Sequence, residues 1–338
     1  MFNKLKDSVV VVTGASSGIG RATAMALAKK GAHVVAAARR EEALDELARD
    51  CEGFKGDVLV VPTDVTDEDA VEHLGEQAIK QFGTIDAWVN NAAVTLFAQF
   101  EEAPRDAYRR VLETNLFGYI YGARTAIRVF REQGYGNLIN VSSMVTRGGS
   151  PYISAYVTSK YGVNGLTKCL RQELQDTDID ICLVMPASID TPLFQQAANY
   201  TGRAVKPMDP VYDARKVSDC IVDLIKSPED ETYVGNAGRA MGALHKVAPK
   251  AYEKTMARQV PKKHFRELPA APNNGNLFQP QNHWARIDGG WNGKRGITKN
   301  GAAKVATAGL MLAIPAAAWV WWNNGGQSKS WVRRLMPV

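Results

Sequence analysis

Apolar runs of strand length alternate with helical patterns from the start of the chain to about residue 235, and few architectures satisfy that alternation. Strands are expected at 8–13, 33–38, 58–62, 85–90, 137–142, 180–185 and 232–234, with helical stretches near 18–30, 41–50, 67–82, 104–133, 154–175 and 213–226. Strands that are apolar on both faces belong in a parallel sheet with helices packed on each side. The expected fold is therefore α/β, a doubly wound parallel sheet, with a single catalytic domain over 1–250, a linker or extension over 251–300, and a hydrophobic segment and basic tail over 301–338. The run Val9–Val12 reads as the first strand and not as the core of an export signal. Cys51, Cys169, Cys182 and Cys220 show no paired spacing, which suits reduced thiols.

The first strand runs directly into T-G-A-S-S-G-I-G at 13–20, and Gly14, Gly18 and Gly20 fall where it turns into a helix. A backbone without Cβ there lets amides of the turn (Ser16, Ser17, Ile19) approach a pyrophosphate, and the helix N-terminus adds favourable partial charge. A plain structural turn is the competing reading, since the spacing departs from G-x-G-x-x-G. At the end of the second strand stand Arg39 and Arg40, where an NAD site carries an acid for the ribose 2′-hydroxyl. An arginine accommodates a 2′-phosphate instead, so NADP is expected over NAD, with a solvated surface charge as the duller alternative for Arg39.

Tyr156 and Lys160 lie one helical turn apart on one face, after the pair Ser142-Ser143. An ammonium beside a phenol favours the phenolate, which would lower the tyrosine pKa and let it act as acid or base. Singly these residues are ordinary: a strand-ending serine, a packed aromatic, a solvated lysine. Jointly they point to catalysis.

Together these elements resemble the short-chain dehydrogenase/reductase family over about residues 7–240. T-G-A-S-S-G-I-G is similar to T-G-x-x-x-G-x-G, and Asp64-Val65 falls where the family contacts the adenine. Asn90-Asn91-Ala92-Ala93 resembles N-N-A-G. Asn115 matches the family's helix asparagine, Ser143 its substrate serine, and Y-V-T-S-K at 156–160 its Y-x-x-x-K. Met185-Pro186-Ala187 with Asp190-Thr191-Pro192 resembles the segment beside the nicotinamide. Alanine stands for glycine at 93 and at 187. The resemblance implies an oxidoreductase that moves a hydride between the nicotinamide and a carbonyl or secondary alcohol. It implies that Ser143 binds the substrate oxygen, Tyr156 exchanges the proton, Lys160 lowers the tyrosine pKa and holds the ribose, and Asn115 shapes its helix around a water. It also implies a homodimer or homotetramer through the helices near 104–133 and 154–175. A non-catalytic NADP-binding sensor or scaffold is the alternative from another class.

Loops 95–105, 146–154 and 191–213 follow the strand ends and contain Leu96, Phe97, Phe100, Tyr152, Leu193, Phe194, Tyr200 and Met208, so an apolar substrate is expected. The five histidines show no ligand spacing, and no metal site is expected. The net charge of +6 is uneven: residues 261–338 carry eleven Lys/Arg and two Asp/Glu, +9, leaving −3 for 1–260. Residues 261–296 are rich in Pro, Asn and Gly and read as a poorly structured or surface-wrapping linker. The stretch 305–322 is free of charge and ends in Trp319, Trp321 and Trp322, at the lower length limit for a membrane span. A packed helix, or one lying flat on a bilayer, is the alternative for it. A nucleic-acid-binding tail is disfavoured, because no recognisable module is present. Use of a cytosolic cofactor would place the catalytic domain in the cytoplasm.

Overall fold

The computed structural model describes residues 5–292. Along the chain these form β1 (Val9–Thr13), α1 (Gly18–Lys30), β2 (His33–Ala38), α2 (Glu41–Asp50), β3 (Val58–Pro62), α3 (Glu68–Phe82) and β4 (Ala87–Asn90). Then come α4 (Arg105–Leu112), α5 (Gly118–Gln133), β5 (Tyr135–Val141), α6 (Ser154–Glu173), β6 (Asp178–Pro186), α7 (Arg215–Lys226), β7 (Glu231–Val234), α8 (Asn236–Val247) and α9 (Pro249–Lys263).

Successive side chains of a strand point to opposite faces, and here both faces are buried. Val10 and Val12 of β1, with Val34 and Ala36 of β2, pack against Leu27 of α1, Leu44 and Leu47 of α2 and Ile221 of α7. Val9 and Val11, with Val35 and Ala37, pack against Leu74 and Ala78 of α3 and Ala126 and Phe130 of α5. The seven strands are all parallel in the order β7-β6-β5-β4-β1-β2-β3. The order reverses at β1, which has β2 on one side and β4 on the other. A crevice opens beyond the strand ends at such a switch point, here at Thr13 and Asn90.

Two expectations need correction. The helical stretch over 104–133 is not one helix: a π turn at Glu113–Phe117 separates α4 from α5, and Asn115 sits at its centre. Residues 261–296 are not a plain linker. α9 continues through Pro261 to Lys263, held by the buried Tyr252 and Val260. Phe265–Pro269 then pairs antiparallel with Arg203–Val205. Both features depend on partners distant in sequence, which local composition does not report. From Asn273 to Asn292 the chain wraps back across the sheet's C-terminal edge, as the surface-wrapping reading allowed. The 305–322 segment lies outside the described residues. Among the described residues, no helix is long and apolar enough to cross a membrane.

Candidate functional site

The crevice is built first from its glycines. Gly14 adopts φ +69°, and a Cβ there would lie 2.8 Å from Ala92 Cα; a Cβ on Gly20 would lie 2.3 Å from Gly14 O. The turn after β1 is thus packed on itself and on the turn after β4, where Asn91 Nδ2 donates to Thr13 O at 2.9 Å. Ser17 precedes α1 as its N-cap, so Gly18, Ile19 and Gly20 form the first helical turn and its amides face the crevice end of the helix.

Arg39 and Arg40 follow β2. Arg40 Nη2 donates to Ser16 Oγ at 3.0 Å, and burial lowers the pKa of both guanidinium groups. Asp64 accepts from the amide and hydroxyl of Thr66 and, at 2.7 Å, from Arg110 Nη2. Desolvation opposes its ionisation, but the Thr66 hydrogen bonds and Arg110 outweigh it and hold the carboxyl below its usual range. Val65 is buried against Gly118. Pro186 ends β6, and Thr191 stands across from Gly18.

At the other side of the crevice lie Ser143, Tyr156 and Lys160. Ser143 follows β5 and caps a short 3-10 turn, and its side chain hydrogen-bonds Tyr156. Tyr156 packs beside an apolar cluster of Phe97, Ile153, Phe265, Tyr152 and Phe194. Lys160 is buried: Nζ donates to Tyr119 Oη at 2.9 Å and to Val141 O at 2.8 Å. It also lies 4.4 Å from the Tyr119 ring centroid and 5.7 Å from that of Tyr156.

The expected lowering of the tyrosine pKa is not what this arrangement produces. Burial pushes the Tyr156 phenol up to about 12, against which the Ser143 hydrogen bond acts only in part. Burial pushes Lys160 down to about 7. The cation spends its hydrogen bonds on Tyr119 and Val141, and desolvation disfavours the charged form of each group.

Tyr119 escaped the sequence reading. Its one signal is the spacing from Asn115, one turn along the same helical face. Asn115 itself clamps the strand-end loop: Oδ1 accepts from Val94 N at 2.8 Å, and Nδ2 donates to Val94 O at 2.9 Å. A second bond runs from Nδ2 to Ser159 Oγ at 3.2 Å, tying the π turn to the helix of Tyr156 and Lys160. Replacing it by leucine strands a buried backbone donor and acceptor, so Asn115→Leu is expected to cost roughly 2–4 kcal/mol in chemical denaturation. A loss below about 0.5 kcal/mol would show that Val94 finds other partners.

Of the apolar loop residues expected to line a substrate pocket, only some do so. Phe97, Tyr152 and Phe194 join the cluster beside Tyr156, whereas Leu96 is buried elsewhere and Phe100 is 70% exposed. Phe265 and His264 belong to the same aromatic group, with the His264 ring tilted against Phe97 and Phe194 at centroid distances of 5.5 Å and 6.0 Å. Neither was foreseen, because both lie in the stretch read as linker. A cavity of about 210 Å³ adjoins this group, lined by Phe194, Ala197, Val205, Arg266 and Trp291 among others.

A family model described as short chain dehydrogenase matches residues 8–201. The chain belongs to the short-chain dehydrogenase family. This short-chain dehydrogenase is 33% identical over 325 residues to the uncharacterized oxidoreductase YxnA of Bacillus subtilis strain 168, covering 94% of this chain and 91% of that one. It is 35% identical over 193 residues to the 3-oxoacyl-[acyl-carrier-protein] reductase FabG of Thermotoga maritima, covering 57% of this chain and 78% of FabG. Among solved structures, a short-chain type dehydrogenase/reductase from Mycobacterium marinum superposes with a TM-score of 0.62 at 26% identity, over 70% of this chain and 96% of the other. Membership brings with it an oxidoreductase class and a nucleotide-binding fold.

Proposed function

We propose that the chain is an NADP-dependent carbonyl reductase or alcohol dehydrogenase acting on an apolar substrate. The observation that carries this reading is the joint placement of Ser143, Tyr156 and Lys160 on one side of a glycine-built crevice whose opposite end holds two arginines. The residues present suit a dinucleotide: a turn where a Cβ would collide, main-chain amides at a helix N-terminus, and a half-buried and a buried guanidinium, Arg39 and Arg40, at the ribose end. Gly14, Ser16, Ser17, Gly18, Ile19 and Gly20 would hold the pyrophosphate. Arg39 and Arg40 would take a 2′-phosphate, Asp64, Val65, Asn91 and Ala92 the adenosine half, and Pro186 and Thr191 the nicotinamide end. When bound, the nicotinamide supplies or accepts the hydride.

The rest is done by the chain. Ser143 hydroxyl donates a hydrogen bond to the substrate oxygen and stabilises the charge that develops there. Tyr156, protonated at neutral pH because burial raises it, hands its proton to that oxygen. Lys160 stands between Tyr156 and Tyr119 and is positioned to recharge the tyrosine, with a pKa near 7 suited to losing and regaining a proton. The aromatic cluster beside Tyr156 excludes water and presents an apolar wall, and Arg147, the one cation of the neighbouring loop, is turned onto Glu231 and Tyr233.

The cofactor preference has its own test. Charge-assisted hydrogen bonds to a phosphate contribute about 1.5–3 kcal/mol, so Arg39→Ala and Arg40→Ala should each cut the ratio of NADPH to NADH affinity about ten- to a hundredfold in direct titrations. An unchanged ratio in both variants would end the NADP assignment.

A further inference from the structure

The crevice is crossed along its length by the chain's own C-terminal stretch. Arg39 Nη2 donates to Asn276 O at 2.5 Å, and Nη1 to Leu277 O at 3.0 Å and Phe278 O at 3.4 Å. Arg40 Nη1 donates to Gln281 O at 2.7 Å and Nη2 to Trp284 O at 3.4 Å. The Gly18 amide, at the N-terminus of α1, donates to Arg286 O at 2.9 Å. Every donor in this series is one assigned above to a phosphate, and every acceptor is a main-chain carbonyl of one continuous segment.

Two anchors hold the segment, one at each end. Leu277 is fully buried among Val94, Leu96, Val111 and Ala198, while Arg110 Nε also donates to its carbonyl at 3.1 Å. At the far end the Asp190 carboxylate accepts from the amides of Gly289 (2.9 Å), Trp291 (3.0 Å) and Asn292 (3.0 Å). Trp291 Nε1 further donates to Gln195 Oε1 at 3.2 Å. Between the anchors, contacts to the crevice's cations are made by carbonyls alone. A carbonyl is a neutral acceptor, and a phosphate bonds the same guanidinium groups roughly twice as strongly. The match to YxnA covers 94% of this chain, so much of the region after residue 260 is shared with that relative.

We propose that residues 276–286 are an autoinhibitory strap that occupies the dinucleotide groove through main-chain carbonyls and leaves it when the cofactor's phosphates arrive. The inference rests on the reading of this groove as a dinucleotide site. Strap and cofactor compete, so the apparent dissociation constant equals the intrinsic one divided by the fraction of chains with the groove open. Weakening the strap without touching the groove therefore tightens cofactor binding.

The test uses the full-length chain and Leu277→Ser, which unseats the buried anchor. NADPH titrated by fluorescence should bind the variant about ten times more tightly than the unaltered chain. Hydrogen exchange of residues 278–288 in the unaltered chain, which needs no variant to fold, should speed up when NADPH is added. Equal affinities with unchanged exchange would overturn the strap while leaving the groove reading intact. Weaker binding by the variant with slower exchange in the unaltered chain would also overturn it, and would make the segment a cover closing over the cofactor. Failure of both chains to bind NADPH or NADH would defeat the groove reading itself, and the strap with it.

Discussion

Tyr156→Phe should lower turnover roughly 10²- to 10⁴-fold while leaving the affinity for NADPH within about twofold of the unaltered chain. The substitution removes only the phenolic oxygen, and the ring keeps its place beside Phe97, Ile153 and Phe265. Ser143 loses one partner but keeps the Val145 amide and remains at the crevice, so the fold should be little affected. The pH dependence of the unaltered chain provides a second reading of the same residue. With the phenol pushed up to about 12, Tyr156 is the acid form throughout the physiological range. Carbonyl reduction, which needs that acid form, should vary little between about pH 6 and 8 on account of this group. Alcohol oxidation needs the phenolate and should accelerate as pH rises toward the tyrosine pKa, up to tenfold per unit. NADPH oxidation with a panel of apolar ketones, and NADP⁺ reduction with the matching alcohols, would measure both. Equal turnover by Tyr156→Phe would remove the tyrosine from the mechanism, and an oxidation rate flat with pH would show that its proton is not the one transferred.

Lys160→Met should abolish activity and yet make the folded chain more stable at neutral pH. The side chain is buried, and desolvation lowers its pKa to about 7, whereas the unfolded chain holds this proton up to about 10.4. Between those values the unfolded state binds a proton that the folded state does not. Stability therefore rises with pH across that window, by at most about 1.4 kcal/mol per unit. Below about pH 7 both states are protonated, and the cost of burying the charge is at its full value. Methionine has similar length and carries no charge, and Tyr119 Oη keeps its hydrogen bond to Val141 O at 2.9 Å, so the change strands no polar group. The variant should be more stable by about 2–4 kcal/mol at pH 7, with the gap narrowing toward pH 10. Urea denaturation of both chains across that range would show it. A variant less stable than the unaltered chain at pH 7 would mean that Tyr119, Val141 and the two rings more than compensate the buried ammonium.

Both predictions concern residues whose chemistry was legible in the chain while their environment was not. The spacing of Tyr156 and Lys160 placed them on one helical face, and α6 does carry them there. The direction of their pKa shifts depends on burial and on Tyr119, which reaches Lys160 from another helix. Asn115 was recognised as a helix residue of consequence, but its bonds to Val94 come from the π turn, a local irregularity that helical periodicity conceals. Arg39 and Arg40 were likewise read correctly as standing at the end of β2. Nothing local to them signals that carbonyls more than 230 positions away would reach them.

Strand and helix periodicities, and the glycines of the first turn, suffice to specify a doubly wound parallel sheet and the edge on which its crevice opens. These are short-range properties, set by side-chain alternation and by backbone that only glycine adopts without strain. Tertiary structure alone decided that the stretch after residue 260 packs as helix, strand and strap, and that the strap covers the cationic end of the crevice. Main-chain carbonyls carry that contact, and every residue has one, so the sequence leaves no mark of where they will bond.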